Sequence, residues 1–223
     1  QQLEKIDLDG IVAFGSSALQ VAQDVGIYLG VPILKEVITM REANRVRKKS
    51  PVDCWLAATP SMARVISNRV GEDRVTLAPI AAATSSIPKT NIGNKNRCVS
   101  VLDASAEPRA TKQILESLKQ FEDVHIFLEL TGKKQQSVWN VINQLDMHSS
   151  VTCLRDMASL RSLIIESDLI LMPSPSMPVR TIFLEAMLAS IPIIATTIEG
   201  FDMLIDDETA LIAKEAWDAP IQR

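Results

Sequence analysis

Residues Ser167 to Gly200 read SDLILMPSPSMPVRTIFLEAMLASIPIIATTIEG, and this stretch decides the fold. The apolar run Leu169 to Met172 stops at a proline-rich break containing Pro173, Pro175 and Pro178. Apolar residues then return at helical spacing as Ile182, Phe183, Ala186 and Met187, and Pro192 opens a second apolar run that closes in Thr196 and Thr197. Short unbroken apolar runs bounded by turn formers are strands covered on both faces, so the order is strand, loop, helix, strand.

The same alternation extends toward the N-terminus. Cys98 to Leu102, His125 to Leu130 and Val151 to Leu154 read as strands, with helices over Pro108 to Phe121, Gln135 to Leu145 and Ser159 to Ser167 between and after them. Further upstream, Asp9 to Gly15, Val31 to Val37, Asp53 to Ala58 and Val75 to Ile80 form a second set of strands. Ser16 or Ser17 is expected to cap a helix that Gly30 ends, while Thr59 followed by Pro60 starts another that Gly71 ends. Between the two sets, residues 81–96 lack apolar periodicity and are rich in Asn, Ser, Pro and Gly. Single helices between strands make right-handed parallel crossovers, so the fold class is α/β with two doubly wound, Rossmann-like sheets. The expected boundaries are 1–83 for a partial first domain, 84–96 for a linker and 97–223 for a nearly complete second domain. Ligands in such sheets bind outside the carboxyl ends of the strands.

Asp168, the apolar run, Pro173 and Ser174, followed by Leu184-Glu185-Ala186-Met187, then Pro192-Ile193-Ile194-Ala195-Thr196 and Glu199-Gly200, resemble the nucleotide-binding half of GT-B glycosyltransferases of the glycogen-synthase and sucrose-synthase type, called group 1. In the first set of strands, Gly30-Val31-Pro32-Ile33 and Val75-Thr76-Leu77-Ala78-Pro79 resemble the second half of that family's N-terminal domain. The resemblance implies a GT-B-like fold whose N-terminal domain is incomplete here. It also implies transfer of a sugar from a nucleotide-sugar donor to an acceptor with retained anomeric configuration, without a metal or other cofactor. The chain opens Gln1-Gln2 and closes Gln222-Arg223 where the family runs on, so it reads as a fragment or a processed chain.

The family carries two glutamates with seven residues between them. Glu185 matches the second, which holds the donor ribose, and Met177 stands where the first would be. The resemblance places Ser174, Arg180, Thr181 and Glu185 around the donor, with Arg109 and Glu185 as the catalytic candidates. Arg109 falls where the family has a diphosphate-neutralising lysine, whereas the companion arginine position is Ala104. The family's first-domain histidine has no counterpart among Lys35, Glu36 and Ile38.

Arg180 also stands out on physical grounds. A cation in the first turn of a helix opposes the macrodipole unless an anion lies between them. Either that anion is a ligand phosphate, or the arginine extends to water. In the first case Arg180→Ala should leave the ligand-free protein unchanged or slightly more stable. Arg109 reads equally as an ordinary residue after Pro108, and Lys133 and Lys134 read best as solvated loop lysines. Arg41, Arg45, Arg47, Lys48 and Lys49 offer either a weak membrane-surface contact, as in family members with lipid acceptors, or a solvated face.

The 223 residues carry 47% hydrophobic residues and a formal charge of −4, which argues against a dedicated nucleic-acid binder. The three cysteines are far apart and there are two histidines, so no local disulfide or zinc motif is legible. No apolar run reaches the roughly 18 residues of a membrane span, and a cytoplasmic protein is expected. Two readings of function follow: a divergent glycosyltransferase, or a catalytically inactive relative kept as a binding or scaffold subunit. A nucleotide-sugar epimerase on the same architecture would need acid and base groups that the motifs do not supply.

Overall fold

The computed structural model describes residues 7–82, 97–214 and Trp217. Two compact units are present. In the first, strands β1 (Ile11–Ala13), β2 (Ile33–Val37), β3 (Cys54–Ala57) and β4 (Val75–Leu77) pair in that order, all parallel. They alternate with helices α1 (Ala18–Leu29), the short α2 (Met40–Ala43) and α3 (Pro60–Val70). Thr59 caps α3 by accepting the Met62 N–H at 3.3 Å, with Pro60 in the first turn. Gly30 closes α1 in the left-handed conformation, at φ +67.

The expected cap of α1 does not form. Ser17 is helical and makes no capping bond, while the Ser16 hydroxyl instead donates to Glu42 Oε1 at 2.6 Å. Nor is the basic stretch after β2 wholly irregular. Thr39 accepts the Glu42 N–H at 3.1 Å and starts α2, which turns Met40 and Ala43 into the core. That pairing of Thr with Glu three residues on is close to a capping box.

Residues Glu199–Asp202, far along the chain, belong to the first unit. Asp202 Oδ2 accepts the Ser61 N–H at 2.8 Å at the start of α3, where a carboxylate suits the positive end of the helix. Gly200 lies between Met40 and Met62 at φ +84, and a Cβ there would come within 2.9 Å of the Met40 methyl. The positive φ is what calls for glycine, since the Met40 methyl is the end of a flexible side chain.

The second unit contains β5 (Arg97–Val101), α4 (Pro108–Leu118), β6 (Val124–Glu129), α5 (Gln135–Leu145), β7 (Val151–Leu154) and α6 (Met157–Ile164). After these come β8 (Leu169–Met172), α7 (Thr181–Leu188), β9 (Ile193–Thr196) and β10 (Leu211–Ala213). The sheet order is β10-β9-β8-β5-β6-β7, and every pair is parallel. Ile170, Leu171 and Met172 are fully buried, as a central strand sandwiched between helix layers requires. Ile114, Leu115 and Leu118 of α4 join Val138, Val141 and Ile142 of α5 and the β5 and β6 strands in one cluster. Each such aliphatic side chain contributes roughly 1.5–3 kcal/mol on burial.

The linker expected at 84–96 lies outside the described residues. The topology matters for the site. From β5 the chain builds outward through β6 and β7, then crosses back to place β8 on β5's other flank. The crossover switches direction between β5 and β8, which is where doubly wound sheets bind ligands, outside the carboxyl ends of the strands.

Candidate functional site at the carboxyl ends of the second sheet

Three loops meet at this switch point, one after each of β5, β6 and β8. Glu129 is the last residue of β6 and is buried. Its Oε1 accepts Arg180 Nη1 at 2.6 Å, and its Oε2 accepts both Arg180 Nη2 at 2.9 Å and the Asp103 N–H at 2.8 Å. Arg180 occupies the N-cap position of α7 and lies 5.2 Å from the centre of the Phe183 ring. The side chains are 19% (Arg180) and 4% (Glu129) exposed, which makes this a buried, bidentate pair.

The anion that the Arg180 placement demands is therefore within the protein. Arg180 neither extends to water nor keeps its fork of donors for a ligand. The expectation that Arg180→Ala would leave the free protein unaffected is corrected accordingly, because truncation would leave Glu129 buried and uncompensated. Arg180 Nε remains buried without an acceptor, and Ser174 Oγ, also buried, has no partner in hydrogen-bond geometry.

Asp103 adopts φ +50, an uncommon conformation for a residue with a side chain. Its carboxyl accepts the Thr131 hydroxyl at 3.1 Å. Burial raises its pKa above the ordinary aspartate value. The Thr131 bond opposes that rise, the Glu129 charge adds to it, and Arg180 and the nearby Ser174 hydroxyl lower it. Ser105 and Thr131 bind each other: the Ser105 hydroxyl donates to the Thr131 carbonyl and accepts the Thr131 N–H at 3.0 Å.

A second group lies one turn along α7. Arg161, on α6, donates from Nε to Glu185 Oε2 at 2.9 Å and from Nη2 to Thr181 Oγ1 at 2.8 Å. This pair is more open, with the side chains 48% (Arg161) and 19% (Glu185) exposed. Thr181 and Glu185 are thus joined by one guanidinium whose other edge is available at the start of α7.

Of the candidate residues, Ser174 and Arg180 come together with Glu129 and Asp103, and Thr181 and Glu185 come together with Arg161. Arg109 is exposed in the first turn of α4, with no hydrogen-bond or ion-pair partner among the described residues. Ala104 is fully buried, as is Met177 at 2% exposure. Lys133 is exposed, and Lys134 donates to the Ala106 carbonyl at 3.0 Å, tying the β6 loop to the β5 loop. Sequence reading passed over Glu129, Asp103 and Arg161. The available signal for Glu129 was a carboxylate ending an otherwise apolar strand run.

Cys54, Cys98 and Cys153 form no disulfide with one another, and burial raises the Cys98 and Cys153 thiols above their usual pKa. Among the described residues no group of His, Cys, Asp and Glu could hold a metal ion, and no helix is long and apolar enough to cross a membrane.

A six-stranded parallel sheet with its polar cluster at the switch point, accompanied by a second parallel α/β unit, defines a GT-B-like protein. The sequence profile of "Glycosyl transferases group 1" matches residues 99–221, and the chain belongs to that family. Among solved structures, HepE from Anabaena in complex with UDP-glucose is similar, with a TM-score of 0.74 at 16% identity over 96% of this chain and 66% of that one. TarM gives 0.71 at 11% identity over 99% of this chain and 48% of that one. Sucrose-phosphate synthase from Thermosynechococcus elongatus gives 0.62 at 14% identity, over 86% and 58%. The chain thus spans less than two thirds of the length of each. No curated protein sequence matches it.

Proposed function

We propose that this chain is the donor-binding part of a glycosyltransferase that uses a nucleotide sugar and transfers the sugar to an acceptor with retention of configuration. The observation that carries the reading is the Thr181–Arg161–Glu185 arrangement at the start of α7, beside the carboxyl end of β8. The resemblance puts the family's ribose-binding carboxylate at Glu185, and the structural neighbours HepE and the pneumococcal O-GlcNAc transferase GtfA were solved with UDP-glucose and with UDP and GlcNAc.

In this reading Glu185 Oε1 accepts a ribose hydroxyl while Arg161 holds Oε2. The diphosphate meets the first N–H groups of α7, which no side chain caps, together with the open edge of Arg161. Arg109 supplies a further cation to the leaving diphosphate. Charge on the leaving group is then stabilised by fixed donors, so no metal or other cofactor is invoked. A cytoplasmic location, and a weak membrane-surface contact by the exposed cations of the basic segment 41–49, belong to the same proposal. Calorimetric titration of the full chain tests it. UDP should bind measurably and uridine much more weakly; equal binding, or none at millimolar UDP, would refute the donor site.

Two observations favour the second reading, an inactive binding or scaffold subunit. Glu129 occupies the Arg180 guanidinium, and Met177 is buried where the family's first glutamate would stand. Removing one preorganised charge-stabilising group costs roughly 10²- to 10³-fold in rate. UDP binding without turnover of any UDP-sugar would select this reading.

A further inference from the structure

Outside the second sheet, the first unit contains a cavity of about 450 Å³ between α1 and the segment that leads from α2 into β3. Three cations, Arg45, Arg47 and Lys49, line it, and no carboxylate does. All three are exposed, and none has an ion-pair partner among the described residues. Its apolar wall is Leu19, Pro51 and Trp55. Trp55 is 5% exposed, and its indole Nε1–H is buried without a hydrogen-bond acceptor.

The segment that carries the cations is held in place. Ala43 and Val52 are anchored in the core on either side of it, and Val46 within it is buried too. From the short 3-10 turn at Glu72–Arg74, Arg74 donates to the carbonyls of Lys48 and Ser50, each at 3.0 Å, and to that of Val52. A third guanidinium thus fixes the loop by its backbone, and the alternation of Arg45 and Arg47 around buried Val46 sends two cations outward together. Like charges on a rigid loop repel one another, and an anion among them removes that repulsion. The Trp55 ring forms the adjacent wall, and its indole N–H has no acceptor of its own.

The geometry points to a phosphate-binding site here, for a phosphate monoester carried on an apolar or aromatic body. The phosphate sits among Arg45, Arg47 and Lys49, and the body lies against Leu19, Pro51 and Trp55. The site is separate from the donor reading of the second sheet and does not depend on it. A soluble phosphoester and a lipid headgroup share this chemistry.

The test is a titration of the full chain with phenyl phosphate, followed by calorimetry and by the indole N–H resonance of Trp55. Saturable binding that shifts this resonance is expected, with phenol not binding. The double variant Arg45→Gln, Arg47→Gln changes only exposed side chains and should weaken binding tenfold or more, with an unchanged circular dichroism spectrum. Non-saturable binding, an unmoved Trp55 resonance, or equal affinity in the double variant would overturn the proposal. Sedimentation with phosphatidylcholine vesicles containing phosphatidic acid identifies the source. Vesicle binding that phenyl phosphate displaces assigns a lipid headgroup, and phenyl phosphate binding without vesicle binding assigns a soluble ester. Vesicle binding that phenyl phosphate leaves intact, without saturable phosphate binding, would show a diffuse charged surface and refute the site.

Discussion

Two arginine–glutamate pairs flank the first turn of α7, and they differ in almost every property that matters for function. Arg180 and Glu129 are buried, bidentate and supplemented by the Asp103 N–H, so the carboxylate is saturated. Arg161 is half-exposed and Glu185 is 19% exposed; a single Nε donor joins them, and no hydrogen bond engages Glu185 Oε1 among the described residues. A desolvated pair is held by the cost of separating its charges, whereas an exposed one contributes little and can open to a ligand. The first pair therefore ties the loops together, and the second is the one the proposed donor site draws on.

The most forceful way to break this comparison is to cut the buried pair. Arg180→Ala should destabilise the chain by about 3 kcal/mol or more, since Glu129 is left charged and buried. Urea denaturation measures it, and a change below about 1 kcal/mol would mean that the pair opens to solvent. Next in size is Met177→Glu. Because Met177 is buried, a glutamate there should cost about 2–3 kcal/mol in the same assay. A neutral result would show that the loop before α7 can rearrange to expose the position.

Arg161→Gln sharpens the contrast from the other side. Its stability cost should stay below about 1 kcal/mol, while UDP affinity should fall about tenfold, the loss of one charged hydrogen bond. The reverse pattern, lost stability with unchanged UDP affinity, would make the open pair structural as well.

The smallest effect belongs to Asp103. Burial raises its folded-state pKa above the ordinary value, so protonation favours the folded protein. Stability linked to this group is present when it is protonated and is lost as pH rises from the ordinary value of 3.8 through the raised one. Asp103→Asn should remove that segment of the pH–stability curve and change stability at neutral pH by about 0.5 kcal/mol or less. An unaltered curve would show that Asp103 titrates as it does in the unfolded chain.

Much of the fold was legible because its signals are local. The buried run Leu169 to Met172, the capping pair Thr59 and Pro60, and the left-handed stop at Gly30 each depend on a few adjacent residues. The α7 candidates were legible too, since Thr181 and Glu185 share one helix and one motif. Their partner was not, because Arg161 lies on a different helix, and no periodicity relates α6 to α7. Glu129 was hidden more deeply. Fifty-one positions separate it from Arg180, and the two meet only because β5 lies between β6 and β8 and the loops after all three converge.

The sequence by itself determined the alternation of strands and helices, the parallel α/β class, the family, and the helix on which the donor candidates lie. Apolar spacing and turn chemistry act over a few residues and are written in order along the chain. Tertiary structure alone decided which cation keeps a free edge and which is consumed by an internal carboxylate. That choice depends on strand order and on how much water each pair retains, and both are set only once distant segments have packed together.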